Sequence, residues 1–180
     1  MDNIKVILAS KSPRRQELLK LMNIDFRVVL KEVDESYPEG LTPIEIALHI
    51  AEKKCHAFDE IVEDEAVVTA DTIVSIDDQI LGKPESPEHA IAMLQTLSGR
   101  KHQVITGVVL LRGEREIAFA DITEVWFHPL TAEQIAFYVD KYQPYVYVCE
   151  ARIDPAHLYP RAGKPTQCIF QFSLAKEWGL

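Results

Sequence analysis

The stretch from Ile4 to Met22 constrains the fold most, because an apolar strand, a polar loop and a helix follow one another with little chain between them. Ile4 to Leu8 is strand-forming, Ser12 is placed as an N-cap, Pro13 fits the first helical position, and apolar residues recur at helical spacing from Gln16 to Met22. The free N–H groups and positive dipole end of that helix point toward the place where Lys11, Arg14 and Arg15 gather. With the hydroxyls of Ser10 and Ser12 alongside, the loop has the parts of a phosphate site. Taken alone, it reads equally as a capped helix with solvated basic residues.

Composition bounds the remaining possibilities. The 180 residues, 47% of them hydrophobic, suffice for one well-formed core and are few for two ordinary domains plus a linker. A single domain is therefore expected. A formal charge of -9 argues against general affinity for nucleic acid polymers or anionic membranes, which call for broad basic surfaces. A local basic pocket in an acidic chain suits a small anion instead. No apolar run approaches the roughly 20 residues needed to span a bilayer, and Met1 to Lys5 lacks a signal-peptide layout, so a cytoplasmic location is expected. Cys55, Cys149 and Cys168 are widely spaced without a Cys-x-x-Cys pair, which reads as reduced, structural thiols rather than a disulfide framework or zinc site.

The order of elements points to an α/β domain with a mixed sheet. Phe26 to Leu30 reads as a strand, Lys31 to Leu41 as a polar loop, and Pro43 to Ile61 as a helix with an acidic, solvated end at Asp59 to Glu65. Val67 to Ala70 is a short buried strand that gives way at Asp71 and Thr72, so carboxylate and hydroxyl sit at a strand end, where ligands of such sheets gather. Ile73 to Ile80 follows as a strand, a turn at Asp77 and Asp78, and a return. Pro87 to Leu97 reads as a helix stopped at Ser98 and Gly99, Gln103 to Arg112 and Ile117 to Phe127 as a hairpin turning at Gly113 and Glu114, and Thr131 to Lys141 as a last helix.

Asp71 is the first candidate for chemistry, since a carboxylate at the rim of a buried strand can deprotonate water or bind a metal without complete desolvation. Glu35 offers a second oxygen ligand to a Mg²⁺ ion already held by phosphates. Lys83, between Gly82 and Pro84 in a short rigid segment, and Lys54, on the helix after the loop, can neutralise phosphate charge. Each also has a plainer reading as a turn cap, a solvated lysine or a snorkelling side chain; His102 reads as structural. Together, three sources of cations and two acids are what attack of water on a phosphoanhydride requires. No Walker Gly-x-x-x-x-Gly-Lys motif is present, which excludes a P-loop enzyme.

The segments Leu8 to Arg15, Ala70-Asp71-Thr72, Leu81-Gly82-Lys83-Pro84, Met93-Leu94 with Leu97-Ser98-Gly99 and His102, and Thr106-Gly107-Val108 occur in the order found in the Maf family of nucleoside triphosphate pyrophosphatases. The chain resembles that family over about residues 4–141. The resemblance implies a two-lobed, ITPase-like single domain with a central cleft, acting as a cytoplasmic homodimer on a nucleoside triphosphate with Mg²⁺ or Mn²⁺. It implies Asp71 as proton acceptor and, with Glu35, metal ligand. Ser10, Ser12, Arg14, Arg15, Lys54 and Lys83 take the phosphates by the same resemblance, and Arg14 and Thr72 set specificity. Thr72 after the acid is like the branch acting on dTTP and UTP. The alternative is a nucleotide-binding regulatory protein without turnover.

The resemblance breaks near the C-terminus, in residues 145–180. Where the family carries an Asp-Lys-Ala-Gly-x-Tyr-Gly-Ile-Gln segment, this chain reads Tyr145 to His157 and then a Pro- and aromatic-rich tail. The family's base-choosing glutamine has no counterpart. Divergence and a shift of the coding frame after about residue 144 both account for such a tail.

Overall fold

The computed structural model describes residues 4–58 and 64–142; the expectations for residues 59–63, for Cys149 and Cys168, and for the tail lie outside them. Within the described residues β1 (Lys5–Leu8) pairs in parallel with β2 (Phe26–Val28) on one side and β3 (Glu65–Ile76) on the other. The strand order is β2-β1-β3-β5-β6, with β5 (Lys101–Arg112) and β6 (Arg115–Trp126), and β4 (Gln79–Leu81) pairs antiparallel with β3. The sheet is mixed, as the sequence indicates. Four helices accompany it: α1 (Pro13–Leu21), α2 (Pro43–His56), α3 (Pro87–Leu97) and α4 (Ala132–Tyr142).

The described residues fall into two compact units, one of residues 4–58, 64–72 and 105–121, the other of residues 73–104 and 122–142. In the first, strand parity divides the core between two helices. Val68 and Ala70 of β3 and Val108 and Leu110 of β5 join Val6, Leu8 and Leu19 of α1. The alternate positions Val67 and Val109 join Ile7 with Ala51 and Cys55 of α2 and Phe58 beyond it. Successive side chains on a strand face opposite ways, so one face takes α1 and the other α2. Burial on both faces explains the run from Ala66 to Ala70, apolar except for Thr69. In the second unit Ala90, Met93, Leu94 and Leu97 of α3 pack with Ile135, Tyr138 and Val139 of α4 and with Ile76.

Several boundaries differ from expectation. β3 does not yield at Asp71 but continues to Ile76, because Thr72, Ile73 and Val74 extend the β-branched run. Asp71 and Thr72 are therefore interior strand residues. α2 stops at His56 with Ala57 as its cap, and β2 ends at Val28. Cys55 is completely buried, and loss of solvation pushes its thiol up to about 11, which makes it an inert core residue. His102 is buried with its ring edge-on to Phe127 at 4.8 Å, and burial holds its pKa below the ordinary value, so its role is structural.

One glycine sets the distance between α2 and the sheet. A Cβ built on Gly107 would lie 2.5 Å from the backbone carbonyl of Ala47, whereas one on Gly82 meets nothing within 4 Å. Because backbone rather than a flexible side chain stands in the way, Gly107→Ala is expected to destabilise the fold by about 1–3 kcal/mol. Urea unfolding checks this, with Gly82→Ala expected within about 0.5 kcal/mol of the parent.

Candidate active site

The site begins where β1 stops. Leu8 is the last residue of that strand, and the Ala9 N–H still donates to the Val68 carbonyl at 2.9 Å, but β3 runs on without it. Carbonyls two residues apart on a strand point the same way, so the Ala70 carbonyl is the next one that β1 would have met. Arg15 takes that place. Its Nη1 donates to Ala70 O at 2.9 Å and to Ser10 Oγ at 3.1 Å, and its Nη2 donates to Thr72 Oγ1 at 2.8 Å. Thr72 Oγ1 lies 3.0 Å from Thr106 Oγ1, and the Ser12 N–H donates to Ser10 Oγ at 3.2 Å.

Ser12 occupies the N-cap of α1 in extended conformation, yet its side chain makes no capping hydrogen bond. By contrast, Thr42 and Glu45 form a full capping box on α2, and Ser86 Oγ accepts from the His89 N–H on α3. The first-turn N–H groups of α1 are left for another acceptor. The side chains of Lys11 and Arg14 are exposed and make no hydrogen bond or ion pair within the described residues. An apolar cavity of ≈ 30 Å³ beside Arg15, lined by Leu8, Leu18, Leu19, Val68 and Val108, has room for one water-sized group and none for a nucleotide.

The opposite face of β3 carries the acids. Asp71 follows the parity of Thr69, whose hydroxyl donates to the Ala51 carbonyl of α2 at 2.7 Å, so Asp71 also turns toward that helix. Lys54, just under one turn further along α2, places its Nζ 2.7 Å from Asp71 Oδ1 and 2.9 Å from Glu35 Oε1. The Asp71 and Lys54 side chains are only 17% and 20% exposed, so this pair is far less screened than a surface one. Burial raises the pKa of Asp71, against the pull of Lys54, and the neighbouring Glu35 raises it further. Lys54 is also raised: burial lowers it, but two carboxylates outweigh that.

The structure therefore gathers Ser10, Arg15 and Thr72 on the α1 side, with Ser12 and Arg14 at the helix start, and Glu35, Lys54 and Asp71 on the α2 side. Lys83 is an exposed residue of the second unit, after β4. Among the described residues no group of three His, Cys, Asp or Glu side chains converges as a metal cage. Two carboxylates sharing one ammonium do fit an ion such as Mg²⁺ that takes one or two protein carboxylates and completes its shell with phosphates and water. Sequence reasoning missed the Ala70 carbonyl and Thr106. Parity contained a signal for Thr106: if Gly107 packs on α2, Thr106 must face Arg15's side.

A family model described as Maf-like protein matches residues 5–155. The chain belongs to the Maf family. Its relatives in that family include the dTTP/UTP pyrophosphatase of Bacteroides thetaiotaomicron, 47% identical over 146 residues, which are 80% of this chain and 76% of that one. The dTTP/UTP pyrophosphatase of Carboxydothermus hydrogenoformans is 43% identical over 144 residues, 79% of this chain and 77% of that one. The Staphylococcus aureus Ham1 structure is similar with TM-score 0.47 and 14% identity, covering 84% of this chain and 95% of that one; the family match, not this likeness, carries the fold.

The ion pair sets a pH dependence in this Maf protein. The folded chain holds the Asp71 proton to higher pH than the unfolded chain, so this group's contribution to stability falls as pH rises through that interval. Removing Lys54 deletes the attraction that opposes burial and widens the interval. Lys54→Met is expected to cost about 2 kcal/mol near neutral pH, with the gap closing as pH falls through the raised titration of Asp71 and its carboxylate takes up a proton. Urea unfolding across pH reads it, and a gap of constant size would contradict the assignment.

Proposed function

We propose that this Maf protein hydrolyses dTTP and UTP between the α and β phosphates, releasing the nucleoside monophosphate and pyrophosphate and clearing nucleotide pools. The observation that carries the reading is Asp71, an interior strand carboxylate with a raised pKa, hydrogen-bonded to Lys54 and flanked by Glu35. The names of the relatives at 47% and 43% identity support the same substrates. The family model runs across residues of both compact units, which supports one Maf domain rather than two independent ones.

In this reading Asp71 accepts a proton from water as the water oxygen bonds to the α phosphorus and the α–β bridging bond breaks, its electrons leaving with pyrophosphate. A carboxylate with a raised pKa is a stronger base than an ordinary surface aspartate. Lys54 holds Asp71 and Glu35 beside each other against their mutual repulsion. Arg14, Lys11 and the uncapped N–H groups of α1 receive phosphate oxygens, with Ser10, Ser12 and Arg15 shaping the loop and Lys83 adding charge. Arg14 and Thr72 contribute to the choice of base. Glu35 and Asp71 would hold Mg²⁺ or Mn²⁺, which when bound supplies neutralisation of phosphate charge.

The same reading makes the protein a cytoplasmic homodimer with no nucleic acid polymer or membrane as partner. Among the described residues no helix is long and apolar enough to cross a membrane.

Pyrophosphate release from dTTP, UTP, CTP, GTP and ITP, measured for the parent and Asp71→Asn, tests the proposal. Release strongest with dTTP and UTP, and lowered about 10²–10⁴-fold by Asp71→Asn with nucleotide binding retained, is the expected outcome. Binding without release in the parent would mark a regulatory protein instead.

A further inference from the structure

Glu35 lies in a segment, residues 31–38, without helix or strand, so nothing in the backbone ladder fixes its carboxylate beside Asp71. The segment is also acidic: Glu32, Asp34 and Glu35 follow one another closely, and Glu35 faces the like charge of Asp71. Repulsion alone would carry the loop away from the site. Its two ends are held elsewhere. Lys31 donates to the Ala57 carbonyl and stands 4.9 Å over the Phe58 ring, and Thr42 opens α2 through its capping box.

The middle of the segment is held by Lys53. Its Nζ donates to the Ser36 backbone carbonyl at 2.9 Å and lies 3.4 Å from Asp34 Oδ2. Asp34 in turn accepts from the Ser36 N–H at 3.0 Å and from the Ser36 hydroxyl, closing a tight turn around Glu35. The residues on either side of Glu35 are thus both fastened to one ammonium, and Glu35 itself reaches the next residue of the helix, Lys54, at 2.9 Å. Lys53 and Lys54 divide the work: one binds the loop's backbone, the other its carboxylate.

We propose that Lys53 is a positioning residue, which touches neither substrate nor reacting atoms but holds Glu35 in place to bind the divalent ion. The inference rests on the reading of Glu35, Lys54 and Asp71 as the catalytic centre. An ammonium that donates to a backbone carbonyl acts on the course of the chain, not only on local charge. Its loss therefore loosens Glu35 while leaving Asp71 and Lys54 on their rigid elements.

The test compares the full chain with Lys53→Met and Lys53→Arg by amide hydrogen exchange of residues 33–38 and by the Mg²⁺ concentration that half-activates pyrophosphate release from dTTP. Lys53→Met is expected to speed exchange of that segment and to raise the Mg²⁺ requirement by about threefold, with kcat at saturating Mg²⁺ near the parent's. Lys53→Arg, which keeps charge and N–H donors, is expected to restore both. Unchanged exchange in Lys53→Met overturns the proposal, as does faster exchange with an unchanged Mg²⁺ requirement. A parent enzyme that releases no pyrophosphate sinks the catalytic reading instead, and the exchange comparison still decides whether Lys53 holds the loop.

Discussion

The rest of this site depends on the hydrogen bond between Arg15 and the Ala70 carbonyl. β1 is the central parallel strand of its unit and is short, so its end leaves a longer neighbour with carbonyls aimed at empty sheet positions. A buried carbonyl without a partner costs about 1–3 kcal/mol. Arg15, from the first turn of α1, reaches back to satisfy that carbonyl and takes Ser10 and Thr72 with the same guanidinium. One side chain thereby fixes the loop after β1, the start of α1 and the course of β3 past its lost partner. Arg14, about 100° around the helix, is turned to solvent. Two adjacent arginines of identical chemistry are thus given different work by helix geometry.

Strand parity divides the candidate residues as sharply. Asp71 and Thr72 are neighbours in sequence, but their side chains leave β3 on opposite faces, one toward Lys54 on α2 and the other toward Arg15 on α1. Gly107 allows α2 to approach the strand on Asp71's side, and Thr106 backs Thr72 on the other. A one-residue slip of β3 would exchange the two sets and put the carboxylate under the basic loop. The arrangement accordingly depends on register, which burial on both faces enforces, with Val68 and Val108 in one cluster and Val67 and Val109 in the other.

Much of this was legible in the sequence, where patterns are local. Ser12 marks the start of α1, Pro43 and Pro87 mark those of α2 and α3, and Gly113 marks the turn between β5 and β6. What escaped depends on long-range geometry. An aspartate followed by a threonine resembles a strand end, yet the apolar and β-branched residues that follow carry the strand through. Arg15 reads as a phosphate-loop residue, and its backbone partner, 55 residues away, appears only in the fold. Lys53 and Lys54 are indistinguishable by composition, and only the path of the 31–38 segment over α2 separates a lysine that binds backbone from one that binds carboxylates.

Electrostatics gives the acid pair its asymmetry. In an isolated ion pair the carboxylate titrates lower and the ammonium higher, but here both hold their protons more tightly than usual. Lys54 has two acids to offset its burial, whereas Asp71 has one close cation set against burial and a second anion. The result is a carboxylate made more basic without loss of the ammonium charge beside it. The three groups together carry one more negative than positive charge when ionised, so they remain attractive to a further cation even with Lys54 in place. In the proposed hydrolysis, within a chain of formal charge -9, that local excess would favour metal-borne phosphate over bare phosphate, and the exposed cations of the first loop would supply the complementary attraction at the start of α1.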